Sequence, residues 1–305
     1  MNTTRRDFAK TAFAGIAGVS AFRSVAQAQA APNRSWISGV QFGLQPFCYH
    51  DLANSMETRP ELIRRLVQNG MGMVELHATW CEPNYAGPGV SAKEARDKLR
   101  NWRLAATPDY YRKIKQEFDS AGITIFNYYI NFAEDQTDGE LDALFEAAKA
   151  LGAKGCVGSH GIALTQRAAP FPGKHGMISC IHNHDNHSDP DAYSSEQTMV
   201  KGLSFSPSIR AVLDVRHFTA GNGDCLGFLE RHHDRVVAVH LGDRRKNNGR
   251  STPFGEGDAP IIEILRMIRD NQWPIVAMLE FEHGTLRTEV EEVRLMFDYC
   301  KRALA

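Results

Sequence analysis

One repeated move constrains this chain more than any other feature. Short apolar, β-branched runs alternate with segments of helical spacing, and the runs number eight: "GVQFGLQPF", "GMVELHA", "GITIFNYYINF", "GAKGCVGSH", "GMISCIHNH", "IRAVLDVRHF", "RVVAVHLGD" and "PIVAMLEFEH". Between them, "RPELIRRLVQNG" carries Leu62, Ile63, Leu66 and Val67 on one face and stops at Gly70. "TPDYYRKIKQEFDSAG" opens at Thr107, has Pro108 in its first turn and stops at Gly122. "DGELDALFEAAKALGAK", "APIIEILRMIRDNQW" and "EVEEVRLMFDYCKRAL" read as further helices. A parallel strand return needs a crossover, so this alternation predicts a parallel sheet. Eight such units in about 275 residues have the size of a (β/α)8 TIM barrel, an α/β fold, as a single domain over 31–305. No G-x-G-x-x-G opens a helix after the first run, which argues against a dinucleotide-binding sheet. Long coils are expected after the second and seventh runs, at "TWCEPNYAGPGVSAKEA" and "RRKNNGRSTPFGEGD".

Residues 1–30 read as an export signal rather than as fold. Arg5-Arg6 precede the mildly apolar "TAFAGIAGVSAF", and "AQAQA" offers small residues for cleavage near Ala31. The pattern resembles a twin-arginine signal, a route that exports folded proteins, so the export machinery is an expected partner and the periplasm the expected location. No membrane anchor is expected after cleavage. The net charge of −1 argues against nucleic acid or an anionic membrane as a partner. The six cysteines form no C-x-x-C pair and are expected to be buried free thiols.

The polar residues that end the last four runs carry the chemistry. "MISCI" ends on His182, "AVL" on Asp214, "VVAV" on His240 and "IVAML" on Glu280. In a parallel barrel these C-terminal ends converge on one mouth. Two imidazoles and two carboxylates make a mixed site for one divalent ion, with Mn²⁺ or Zn²⁺ first and Co²⁺, Fe²⁺ or Mg²⁺ behind them. His184 shares the face of His182 further out and is the alternative ligand and a substrate contact. Glu282 is the alternative to Glu280. His217, three residues after Asp214, is a candidate for contact with a substrate hydroxyl or for acid–base work. Glu280, Glu75 and His77 are further candidates around the mouth, Glu75 with a competing structural role, and Asp243 is a candidate partner that orients a ligand.

In combination these stretches resemble the xylose isomerase-like superfamily, usually described as sugar phosphate isomerases/epimerases. "NGMGMVELHA", "KHGMISCIHNH", "LDVRHFTAGNGD", "VVAVHLGD" with "PFGEGD", and "IVAMLEFEH" carry the likeness. The resemblance implies one divalent metal on His182, Asp214, His240 and Glu280, acting on a sugar carbonyl with proton removal beside it. His182 departs from the glutamate that ketose 3-epimerases of this fold place there. A lyase or dehydratase therefore fits at least as well as a symmetric two-glutamate epimerase. The related AP endonucleases are set aside, because "NNGRSTPFGEG" offers no Asp or His for extra metals and the chain is not basic. The expected substrate is an unphosphorylated keto-sugar, keto-glycoside or cyclitol. A non-catalytic sugar-binding barrel and a metal-dependent hydrolase are the competing readings, and pairing of barrels into a homo-oligomer is compatible with either.

Overall fold

In the computed structural model, residues 34–130 and 132–305 are described. The export signal expected over 1–30 lies outside them. Eight parallel strands form the core: β1 (Val40–Leu44), β2 (Met73–His77), β3 (Thr124–Tyr129), β4 (Gly155–Gly158), β5 (Ile178–His182), β6 (Ile209–Asp214), β7 (Val236–Leu241) and β8 (Val276–Leu279). Each pairs with its successor, and β1 pairs with both β8 and β2, which closes the barrel. A two-residue strand at Trp36–Ile37 folds back antiparallel on β1.

The helices are α1 (Arg59–Gln68), α2 (Ala92–Ala105), α3 (Pro108–Ser120), α4 (Asp138–Ala150), α5 (Ile162–Ala168), α6 (Pro170–His175), α7 (Glu196–Ser204), α8 (Val215–Ala220), α9 (Cys225–His232), α10 (Ile261–Asp270) and α11 (Glu289–Leu304). None of the described helices is long and apolar enough to cross a membrane. All eight predicted runs form the barrel. The coil expected after β2 is shorter than the sequence suggested, because α2 begins inside it: the Ser91 hydroxyl accepts from the Glu94 N–H and caps the helix. The coil expected after β7 contains a small antiparallel pair, Asp243–Arg244 with Ser251–Thr252. On α1, Leu62 and Leu66 are buried, but Val67 is exposed.

Alternation divides the core in two. One set of side chains faces outward into the layer between strands and helices. The inward set plugs the barrel with Phe126, Val157, Cys180, Val212, Ala238, Val276 and Met278. Two residues further along β5, β6, β7 and β8, the same inward face carries His182, Asp214, His240 and Glu280. The site therefore sits directly on an apolar plug.

All six cysteines are free and buried. Burial pushes every thiol up, Cys225 to about 12 and Cys48, Cys156 and Cys180 further. Since the thiolate is the reactive form, the folded protein should resist a thiol reagent at pH 8 and titrate six thiols only in denaturant. Rapid modification of the native protein would contradict this burial.

Candidate metal centre

Residues His182, Asp214, His240 and Glu280 each offer one ligand atom, and those atoms lie within 4.8 Å of one another. All four side chains are buried. Their approach is fixed from the backbone. Asp214 ends β6 and also caps α8, with Oδ1 accepting the N–H of His217 at 2.9 Å. That bond sets its rotamer and leaves Oδ2 facing His182 Nε2 at 3.6 Å. Asn183 ties the ends of β5 and β6 together: its amide donates to the Asp214 carbonyl at 3.0 Å, and its oxygen accepts the Asp214 N–H at 2.7 Å. Glu280 extends the β8 ladder by donating its N–H to the Leu241 carbonyl at 2.9 Å.

Several inward-facing polar atoms have no hydrogen bond of normal geometry: both ring nitrogens of His182, both of His240, and Glu280 Oε2. Buried polar atoms of native proteins are nearly always satisfied. Two imidazoles and two carboxylates converging with orphaned atoms form the donor set of a divalent cation site, so these residues fit a metal. Glu75 stands behind the group. It is fully buried, with Oε1 3.1 Å from His240 Nε2, while Glu280 Oε2 lies 3.0 Å from His240 Nδ1. A carboxylate on the far nitrogen of a ligand imidazole orients the ring and raises its basicity. Asn127 donates to the other oxygen of Glu75 at 3.3 Å.

Arg216 is not among the residues expected at the site from the sequence pattern. It is buried, and its guanidinium spans three carboxylates: Nη2 is 3.1 Å from Asp214 Oδ2 and 3.7 Å from Glu280 Oε1, and Nη1 is 2.8 Å from Glu282 Oε2. Burial pushes the Asp214 and Glu280 carboxyls up, but Arg216, together with His217 for the first and His240 for the second, holds both well below the usual carboxylate range. Glu282 is thus paired with Arg216 and lies outside the four-residue cluster. Gly242 in "HLGD" makes room, since a Cβ there would come within 3.1 Å of Arg216 Cβ and Cδ.

A second pair lies one turn into α8. His217 Nδ1 is 3.0 Å from Asp185 Oδ1, and Arg244 Nη1 is 2.7 Å from Asp185 Oδ2. His217 Nε2 is 3.1 Å from Arg216 Nη2 and Nδ1 is 3.3 Å from Arg244 Nη1, so both ring nitrogens face a guanidinium. Burial pushes the Asp185 carboxyl up, and His217 and Arg244 outweigh it and hold it down. His184 packs edge-on against His182, with ring centroids 4.7 Å apart, and against His217 at 4.8 Å. Burial, with His182 and His217 nearby, drops His184 to about 3, so it is neutral. His77 stands outside the four, stacked on Tyr129 at 4.3 Å with Nε2 2.7 Å from the Gln45 amide. Asp243 organises the following loop: its oxygens accept the N–H groups of Gly255, Gly257 and Ala259 at 2.8, 3.0 and 3.1 Å. A Cβ on Gly257 would sit 2.0 Å from Asp243 Oδ1. Gly257→Ala should therefore expel this loop and lower stability by about 1–3 kcal/mol, read as a lower Tm and faster proteolysis within 250–258; an unchanged Tm and cleavage pattern would refute it.

Comparison with known proteins agrees with this architecture. No curated protein matches the chain by sequence. Among solved structures it is similar to a sugar phosphate isomerase/epimerase from Parabacteroides distasonis, with 17% identity, TM-score 0.61, and 86% of this chain and 95% of that chain covered. It is similar to the 3-keto-D-glucoside 4-epimerase of E. coli, at 12% identity and TM-score 0.62 over 86% and 99% of the two chains. It is also similar to the probable 3-DHS dehydratase of Bacillus anthracis, at 12% identity and TM-score 0.61 over 85% and 98%. At these identities the likeness establishes the fold. Residues 63–301 match the family profile itself, and the chain belongs to the xylose isomerase-like TIM barrel family.

Proposed function

We propose that this protein is a divalent-metal-dependent enzyme that removes a proton from the carbon beside the carbonyl of a keto-sugar or cyclitol, and that it is exported by the twin-arginine route to work in the periplasm. The observation that carries the reading is the buried His182–Asp214–His240–Glu280 cluster with its orphaned nitrogens and oxygen at the barrel mouth. A bound divalent ion, Mn²⁺ or Zn²⁺ by the donor set, supplies Lewis acidity that favours negative charge next to the carbonyl. Glu280 is the candidate to accept the proton: its Oε2 makes no hydrogen bond of normal geometry, and its nearest partner is His240 Nδ1 at 3.0 Å. His217 is the candidate to exchange a proton with a substrate oxygen, its ring oriented by Asp185. Glu75 holds His240 in register, and the apolar plug beneath excludes water from that side.

The asymmetry of these groups favours a second outcome within the same reading. His182 occupies the position where a second carboxylate would complete a symmetric pair, so acid and base differ in kind. Proton removal by Glu280 with protonation of a leaving oxygen by His217 gives β-elimination, and return of the proton gives isomerisation or epimerisation. The test is incubation with D-fructose, D-tagatose and a methyl 3-keto-glucoside in D₂O, with Mn²⁺ or with chelator, followed by NMR. Deuterium should enter beside the carbonyl only with metal, and an unsaturated or cleaved product identifies a lyase. No exchange and no product on any substrate would sink the enzyme reading. Export is tested separately: changing Arg5 and Arg6 to Lys should retain the protein in the cytoplasm.

A further inference from the structure

A cavity of about 580 Å³ opens from His182 and His184 and runs outward between the loops that follow β4 and β5. At about 30 Å³ per water it has room for roughly twenty, far more than one hexose ring displaces. Its walls are polar and hydrogen-bonding. Ser159 Oγ links the Tyr129 hydroxyl at 2.5 Å to His184 Nε2 at 3.4 Å, which ties the cavity floor to the metal cluster. His160 is nine-tenths buried with Nδ1 unpartnered, and its ring packs against Phe132 at 4.4 Å, which gives an apolar flank.

The charge of the lining decides what can enter. Among the described residues no Lys or Arg lines this cavity, while Glu134, Asp185, Asp189 and Asp191 do. The one feature that could have attracted an anion, the start of α5, is already occupied. Asp191 Oδ1 accepts the Ala163 N–H at 2.8 Å, and the Asp191 carbonyl accepts the Ile162 N–H at 2.8 Å. Asp185 is already paired with Arg244, and a phosphate or uronate would meet Glu134, Asp189 and Asp191 with no lining Lys or Arg to receive it. A neutral ring bearing hydroxyls would find acceptors for its O–H groups and an aromatic flank for its C–H face.

We infer that this cavity is a second sugar subsite, and that the substrate is an unphosphorylated glycoside of a keto-sugar, with its keto ring at the metal cluster and a neutral second sugar in the cavity. The inference rests on the metal-dependent reading given above. Three probes test it: a methyl 3-keto-glucoside, its 6-phosphate, and a 3-keto-disaccharide, with glucose and maltose as unreactive ligands for calorimetry. The keto-disaccharide should show KM at least tenfold below the methyl glycoside, and the phosphate should be the poorest. Ala192→Trp, which fills the cavity from its wall, should collapse the ratio between the first two. Asn186→Lys, on the same wall and exposed, should improve the phosphate at the expense of the disaccharide, and it serves if the tryptophan variant fails to fold. Equal KM values with and without the second sugar, or preference for the phosphate, would overturn the subsite while leaving the metal chemistry intact. If no probe exchanges deuterium, the enzyme reading falls. Calorimetry then decides the subsite alone: maltose binding more tightly than glucose, and losing that margin in Ala192→Trp, supports it, whereas equal binding refutes it.

Discussion

Asp214→Asn and His240→Ala should each abolish binding of a divalent ion, from about one ion per chain in the wild type to none after incubation with Mn²⁺ or Zn²⁺ and desalting, measured by mass spectrometry. Asparagine is the informative choice at Asp214. The wild-type aspartate both faces the cluster through Oδ2 and caps α8 through Oδ1. Alanine would also remove the cap, at about 0.5–2 kcal/mol, and blur the result with a loss of stability. Asparagine retains an oxygen for the His217 N–H and removes the charge. Glu75→Gln supplies the graded control. It keeps a hydrogen-bond acceptor behind His240 but not the carboxylate, and loss of such an outer partner typically weakens binding about 10- to 100-fold. The order expected is therefore wild type, then Glu75→Gln, then the two ligand variants without measurable affinity. If metal content in Asp214→Asn equals that of the wild type, the four-residue site is wrong. If Glu75→Gln is as empty as His240→Ala, then Glu75 is itself a ligand.

That ordering marks the limit of what the sequence discloses. The four cluster residues are legible because each ends an apolar run, and parity along a strand is a one-dimensional property. His217 is legible by its spacing from Asp214, although the physical route differs: β6 gives way at once to α8, and one helical turn brings the ring back to the mouth. Arg216 needs a different argument. Strand parity alone would put it on the face of Asp214, but the strand has ended there, and it is the first turn of α8 that sets its guanidinium against three carboxylates. Asp185 and Arg244 meet from loops after different strands, a contact no local pattern encodes. An aspartate three residues after His240 invites a role near the ligands, yet the Asp243 oxygens accept N–H groups of the following loop. The glycines at 255 and 257 are the signal: Gly257 leaves no space for a Cβ beside Asp243, and Gly255 takes a φ of +86°. The start of α2 was readable in retrospect from Ser91 and Glu94, a serine three residues ahead of a glutamate.

The largest effect on stability is expected far from the ligands, at Glu140. This residue opens α4, where its N–H donates to the Thr137 hydroxyl, and its side chain is wholly buried. It receives Arg96 Nη1 and Nη2 at 2.7 Å and Arg103 Nη1 at 2.9 Å, while Arg103 also holds Glu82 at 2.7 Å. The two arginines lie on one face of α2, seven residues apart, so one carboxylate locks α2 onto α4 and, through Glu82, onto the loop after β2. Glu140→Ala removes the carboxylate that both arginines share, leaving Arg103 with Glu82 alone and Arg96 with the exposed Asp135, which costs about 3 kcal/mol and lowers Tm by about 6–10 °C. Burial pushes the Glu140 carboxyl up, but Arg96 and Arg103 outweigh it and hold it down. A carboxylate depressed in the folded state stabilises fully above its unfolded pKa and loses that contribution as pH falls through the folded value. The gap in Tm between wild type and variant should therefore be widest at neutral pH and narrow in acid. A change under about 2 °C at pH 7, or a gap that widens in acid, would refute the assignment. The consequence reaches the mouth, because Glu82, Arg96 and Arg103 line the same cavity of about 320 Å³ as His77 and Tyr129. For the keto-sugar turnover proposed above, loosening the loop after β2 should raise KM more than it lowers kcat.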